Sequence, residues 1–167
     1  MLLTLDDLTV GDSFDSDPYP VTLEEIIEFA GRYDPQPFHL DPTAADRSFF
    51  RGLAASGWHV AAISMRLMVQ AVPFADGLIG AGGELAWPTP TRPGDVLTVH
   101  VRVDSITPST SRPERGRVGL ISETRNQADE VRQRFHVSVV AFRRTAAAGV
   151  DASGALGPVL PRGEERP

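Results

Sequence analysis

The hexapeptide Asp34-Pro35-Gln36-Pro37-Phe38-His39 sets a carboxylate five positions ahead of an imidazole, with two prolines between them. Proline holds φ at about −65° and pushes the residue before it toward extended geometry, so the stretch reads as a stiff bend that holds its two end groups in place. A carboxylate and an imidazole held this way can share one water, the imidazole taking its proton while the carboxylate orients it, or can pass a proton between them. The same residues also fit a purely structural role, with Asp34 closing an Asx-type turn before Pro35 and His39 a half-buried, hydrogen-bonded histidine. A metal site on His39, Asp34 and Asp41 lacks a fourth ligand or a paired histidine, so no metal is expected.

The elements that must position these groups can be read on either side of them. Thr22-Leu23-Glu24-Glu25 has the spacing of a capping box, and Ile26, Ile27, Phe29 and Ala30 follow with helical periodicity. The spacing predicts a helix from Leu23 to Arg32 that delivers Asp34 just past its end. Asp41-Pro42 reads as an N-cap followed by proline at the first helical position, opening a short helix through Ala44 and Ala45 toward Phe49. Ser56 caps a longer helix from Gly57 to Val72, apolar around most of its circumference and so expected to be buried. Arg92-Pro93-Gly94-Asp95 is a turn. Leu97, Val99, Val101 and Val103 then alternate with polar residues as a half-buried strand, and further strands are expected at Val118 to Thr124 and Val131 to Ala141. Residues 146–167 are rich in Ala, Gly and Pro with scattered charge and read as a flexible tail, leaving one domain over residues 1–145.

Composition narrows the function classes. A chain of 167 residues suits one domain, and no apolar run is long enough to span a bilayer. The first residues have neither the basic start nor the cleavage site of a signal peptide, so a cytoplasmic protein is expected. There are no cysteines, which removes disulfides and thiolate chemistry, and all sixteen basic residues are arginine, which removes lysine Schiff bases. The net charge of −6 argues against general nucleic-acid binding. Ten of the arginines lie between Arg92 and Arg144, and Arg112, Arg115 and Arg117 cluster closely enough to hold a phosphorylated ligand, or to be a solvated loop tip.

A buried helix followed by long strands is the pattern of a hot-dog fold, an α+β domain in which a curved antiparallel sheet wraps one central helix. Three segments in series make the likeness specific: Tyr33-Asp34-Pro35-Gln36-Pro37-Phe38-His39-Leu40-Asp41, then Gly52-Leu53-Ala54-Ala55-Ser56-Gly57-Trp58-His59, then Arg92-Pro93-Gly94-Asp95. Together they resemble the MaoC-like dehydratases, or (R)-specific enoyl-CoA hydratases, over residues 5–145. The resemblance implies addition of water to a trans-2-enoyl thioester of coenzyme A, or its reverse, in fatty acid metabolism. It implies no cofactor beyond the coenzyme A of the substrate, and a homodimer or dimer of dimers. The family's acid–base pair matches Asp34 and His39, and the backbone N–H that binds the thioester oxygen matches Gly57. A helix N-terminus suits that task, since its unpaired N–H groups and dipole favour developing negative charge. Phe38, Ser56 and Trp58 are expected to line the substrate site, with Arg112, Arg115 and Arg117 near the phosphates of coenzyme A. The family usually has Asn where Gln36 stands and His where Ser56 stands, and its helix serine falls at Met65, with Ser64 one position away. Some MaoC-like proteins are similar in carrying Ser-Gly-Trp-His and a Ser-Arg-Pro loop.

Two other readings remain open on the sequence. One is a non-catalytic hot-dog subunit that binds acyl-CoA without turnover. The other is a hot-dog thioesterase, which needs a nucleophile or base near the central helix N-terminus, where Ser56-Gly57-Trp58 supplies no carboxylate.

Overall fold

A computed structural model describes residues 2–144. The expected tail, residues 146–167, lies outside the described residues. After one turn of 3₁₀ helix at Leu5–Asp7 come β1 (Ser13–Asp15), β2 (Tyr19–Pro20), α1 (Leu23–Tyr33), α2 (Pro37–Leu40), α3 (Pro42–Asp46) and α4 (Gly57–Ala71). The strands β3 (Ile79–Ala86), β4 (Val96–Pro108), β5 (Arg115–Arg125) and β6 (Val131–Phe142) complete the chain. They form one antiparallel sheet in the order β1-β4-β5-β6-β3, with β2 also on β4. Register shifts between Gly80 and Gly82 and between Val103 and Ser105 break the ladder locally, as bulges do where a sheet curls. The sheet with its helix is the hot-dog arrangement, an α+β fold.

The core forms because α4 and the strands bury matching periodicities. Val60, Ile63, Leu67 and Met68 lie on one side of α4, at helical spacing, and join Leu97, Val99, Val101, Val103, Val118, Leu120, Val137 and Val139, which alternate along β4, β5 and β6. At roughly 1.5–3 kcal/mol for each large aliphatic side chain withdrawn from water, this contact dominates the fold. α1 begins as its sequence requires. The Thr22 hydroxyl accepts the Glu25 N–H at 3.2 Å and the Glu25 carboxylate accepts the Thr22 N–H at 3.3 Å. At α3 the Asp41 carboxylate accepts the N–H groups of Thr43 and Ala44, so Asp41 caps a helix and is turned away from His39's task.

Three expectations need correction. The helix opened by Asp41 stops at Asp46, short of Phe49, and the bend before it contains a helical turn of its own, α2, too short for periodicity to reveal. α4 is buried on one side only: Trp58, Met65 and Val69 are 63%, 38% and 46% exposed, with Ala62 exposed between them, a stripe at helical spacing. The strands are not a simple meander, because β3 pairs with β6 at the far side of the sheet from β1. The link from β3 to β4, residues 87–95, must therefore cross the end of the sheet, a span of three strand spacings or roughly 14 Å. That crossing brings it under the N-terminus of α4. Among the described residues no helix is long and apolar enough to cross a membrane.

Candidate active site

Asp34 is the residue on which α1 ends. Its N–H still bonds the Ala30 carbonyl at 2.9 Å, but its own φ of −150° and ψ of 67° have left the helix, as expected ahead of Pro35. Gln36 then holds the N-cap position of α2 without a side-chain cap bond, Pro37 occupies its first position, and His39 is its third residue, 5% exposed. The bend turns Asp34 and His39 toward each other, with Asp34 Oδ2 3.4 Å from His39 Nε2.

Three hydrogen bonds fix the pair. His39 Nδ1 lies 2.7 Å from the Ala54 carbonyl, which can only accept, so Nδ1 carries a hydrogen and the lone pair of the neutral ring is at Nε2, facing Asp34. The Ser56 hydroxyl donates to Asp34 Oδ2 at 2.6 Å, and the Gln36 amide donates to Oδ1 at 2.7 Å. Ser56 also accepts the Trp58 N–H at 3.2 Å as the N-cap of α4. One hydroxyl thus ties the carboxylate to the helix end. Burial opposes ionisation of Asp34, but the Ser56 and Gln36 bonds and the adjacent His39 outweigh it and hold the carboxyl below its ordinary value. The charge is therefore retained at pH values where a free aspartate would protonate, and whatever stability it brings is lost only as pH falls through that depressed value.

The types of a Ser–His–Asp triad meet here but are connected differently. Ser56 bonds the carboxylate instead of the imidazole, is 1% exposed and is committed to the helix cap, so it is no nucleophile.

Gly57 is the first residue of α4, where the N–H has no acceptor within the helix. It faces a cavity of about 420 Å³ together with Asp34, Gln36, Phe38, His39, Phe50, Trp58, Val60 and the crossing link from Trp87 to Thr91. A Cβ at position 57 would lie 2.8 Å from two carbons of the Trp87 indole, which explains glycine there without any appeal to backbone angles. Trp87 is fixed in turn by its Nε1–H donating to the buried Gln133 of β6 at 2.9 Å, and Thr89 by its hydroxyl donating to the Val131 carbonyl at 2.6 Å. Beneath the link, the buried Arg132 pairs with the buried Asp95 at 3.0 Å and donates to the Thr89 hydroxyl.

A MaoC like domain model matches residues 7–126. The chain belongs to the MaoC-like dehydratase family. It is 34% identical to uncharacterized protein YdeM of Bacillus subtilis (strain 168) over 72% of this chain and 83% of that one. A solved MaoC-like dehydratase from Rhodospirillum rubrum is 59% identical, with a TM-score of 0.84 and coverage of 85% and 98% of the two chains. The (R)-hydratase from A. caviae involved in PHA biosynthesis is 25% identical, with a TM-score of 0.66 and coverage of 81% and 98%.

Set against this MaoC-like frame, Asp34, His39, Phe38, Gly57 and Trp58 line one cavity, and Ser56 lies beneath it. The arginine cluster does not join them. Arg115 pairs with Phe142, whereas the cavity lies where Arg125 pairs with Val131, ten residues or roughly 33 Å along β5. Arg115 and Arg117 also alternate with the buried Gly116 and Val118, so they face away from α4, and Arg112 sits in the turn before them. None of the three arginines lines this cavity. Trp87, Phe50 and Arg132 were not anticipated as cavity residues. Nothing local marks them: Trp87 is carried to the site by the β3–β6 pairing, Arg132 stands near the start of β6, and Phe50 lies in the segment between α3 and α4. Ser56-Gly57-Trp58 itself carries no carboxylate, but Asp34 arrives beside it from α1.

Replacing Ser56 with Ala removes both a donor to Asp34 and the cap of α4. The Asp34 carboxyl should then titrate at higher pH than in the parent, followed by carbon NMR of its side chain, with about 1 kcal/mol of stability lost in urea unfolding. An unmoved midpoint would separate Ser56 from the control of this charge.

Proposed function

We propose that the chain catalyses reversible addition of water to a trans-2-enoyl thioester of coenzyme A, giving the 3-hydroxyacyl thioester. The family is one of dehydratases and hydratases. The observation that carries the finer reading is the pairing of Asp34 Oδ2 with His39 Nε2 at 3.4 Å, in one cavity with the N–H of Gly57. Both atoms are acceptors when His39 is neutral, so a water between them can donate to each and turn its own lone pair toward C3. As the C3–O bond forms, Nε2 takes a proton and the new imidazolium is stabilised by the carboxylate beside it. The electrons displaced from the C2–C3 bond reach the thioester oxygen as an enolate, which the Gly57 N–H and the positive end of α4 stabilise. Collapse of the enolate with return of a proton to C2 completes the addition, with OH on C3 and H on C2. Dehydration runs the same steps backward.

The walls support a compact acyl group. Phe38, Phe50, Trp58 and Trp87 line the cavity with Asp34 and His39, and Val60, Thr91 and Arg132 line it as well. The exposed stripe Trp58, Ala62, Met65 and Val69 supports a second copy of the chain as its cover, giving a dimer. Sedimentation should find a dimer, and a monomer at micromolar concentration would count against it.

Asp34→Asn and His39→Gln should each slow hydration by roughly 10²–10⁴-fold with the melting temperature little changed, the usual worth of a positioned acid or base. Because both act on one water, the double variant should be scarcely worse than the poorer single one. Full activity in folded Asp34→Asn ends this reading, binding without turnover by the parent makes the chain an acyl-CoA-binding subunit, and release of free thiol makes it a thioesterase. A compact pocket should also favour C4 over C12 enoyl thioesters in kcat/KM, and equal values would contradict it.

A further inference from the structure

The segment between α3 and α4 folds back on itself in a conformation that its own residues do not favour. Arg51 has φ of 48° and Gly52 φ of 137°, and the first of these is a left-handed conformation that a non-glycine residue adopts at a cost. The turn points several carbonyls at one place, and the guanidinium of Arg92 fills it. Arg92 Nη1 donates to the carbonyls of Gly52 at 2.6 Å and Leu53 at 3.0 Å, and Nη2 donates to that of Phe50 at 2.5 Å. The φ of 137° at Gly52 is one that side-chain-bearing residues rarely adopt, so the turn itself needs glycine there.

The arginine is itself anchored. Its backbone N–H donates to Asp95 Oδ2 at 2.9 Å, within the Arg92-Pro93-Gly94-Asp95 turn, and Asp95 is held by the buried Arg132 and by Asn126. The neighbouring Thr91 carbonyl accepts the Ala55 N–H at 2.9 Å. The rigid end of the sheet is thereby connected to residues 50–56.

What that segment carries makes the connection functional. Ala54 supplies the carbonyl that fixes the tautomer of His39, and Ser56 supplies the hydroxyl that holds Asp34. Two of the three hydrogen bonds that fix the acid–base pair thus come from the few residues that follow the clamped carbonyls. We propose that Arg92 is a positioning residue of the acid–base site: by clamping the carbonyls of Phe50, Gly52 and Leu53 it sets where the Ala54 carbonyl and the Ser56 hydroxyl stand. It touches neither Asp34 nor His39. Only a planar fork with several donors can serve converging carbonyls together, so lysine is a poor replacement.

The inference rests on the hydratase reading for its effect on rate, but not for its effect on the imidazole. Arg92→Met and Arg92→Lys are each compared with the parent in three measurements: melting temperature, kcat and KM with a C4 trans-2-enoyl-CoA, and nitrogen NMR of the imidazoles. His39→Gln assigns the His39 signal among the four histidines. The expected result is a folded Arg92→Met protein whose His39 passes from a single Nδ1–H tautomer to a mixture. Its kcat should fall by about 100-fold, the cost of a small misplacement of reacting groups, while KM stays within about two-fold. Arg92→Lys should recover part of both signals. A folded Arg92→Met protein with the parent's tautomer and kcat overturns the proposal. Failure of both variants to fold also overturns it, by making Arg92 a scaffold residue. If the parent hydrates nothing yet Arg92→Met still alters the His39 signal, the positioning role stands and the hydratase reading fails.

Discussion

The Ser56 hydroxyl is the interaction on which the site depends. It accepts the Trp58 N–H and so begins α4, and it donates to Asp34 and so fixes a charge that belongs to another helix. Without it, the start of α4 and the end of α1 would have no direct bond at the cavity. The two roles reinforce each other physically: a carboxylate kept ionised beside a helix N-terminus is favoured by the helix dipole, and the helix start is favoured by the charge. Serine is the smallest side chain able to accept from the helix and donate to the carboxylate at once.

Around that bond the fold supplies two rigid sides. One is the hydrophobic contact of α4 with β4, β5 and β6. The other is the polar end of the sheet, where Asp95, Asn126 and Arg132 are buried together beneath the crossing link. A buried ion pair adds little net stability over an apolar replacement, but it has few alternative geometries once its hydrogen bonds are made. Its place under Thr89 and the turn before β4 suits a part of the protein that must be held in one position.

Much of this was legible in the residues. The capping box at Thr22, the cap at Ser56 and the alternation of Leu97 to Val103 are local patterns, and each element formed where its pattern lies. Asp34 and His39 were legible because prolines restrict the chain between them. The exposed side of α4 was not, since an apolar residue reads the same whether it meets the core or another surface. Trp87 and Arg132 were hidden for a different reason. Trp87 reaches the cavity through the pairing of β3 with β6, a choice of partner that no single strand encodes, and Arg132 meets the cavity only because the link that follows β3 crosses over it. Arg92 was visible as part of a turn, but its carbonyl clamp depends on a loop forty residues earlier being folded around it.

The placement of β3 beside β6 also governs when the site can come into being. Ile79 to Ala86 pair with residues 134–140, and the link beyond β3 is pinned by Gln133 and the Val131 carbonyl. As the chain leaves a ribosome, both residues of the acid–base pair and the whole of α4 emerge long before the strand that closes the opposite wall. Until β6 joins, β3 lacks its partner strand and Trp87 lacks the Gln133 hydrogen bond that fixes it over Gly57. Such distant pairings form slowly because their loop closure must come first. The growing chain therefore carries its reactive side chains without a chamber to use them in until β6 has been made, and gains that chamber in one step.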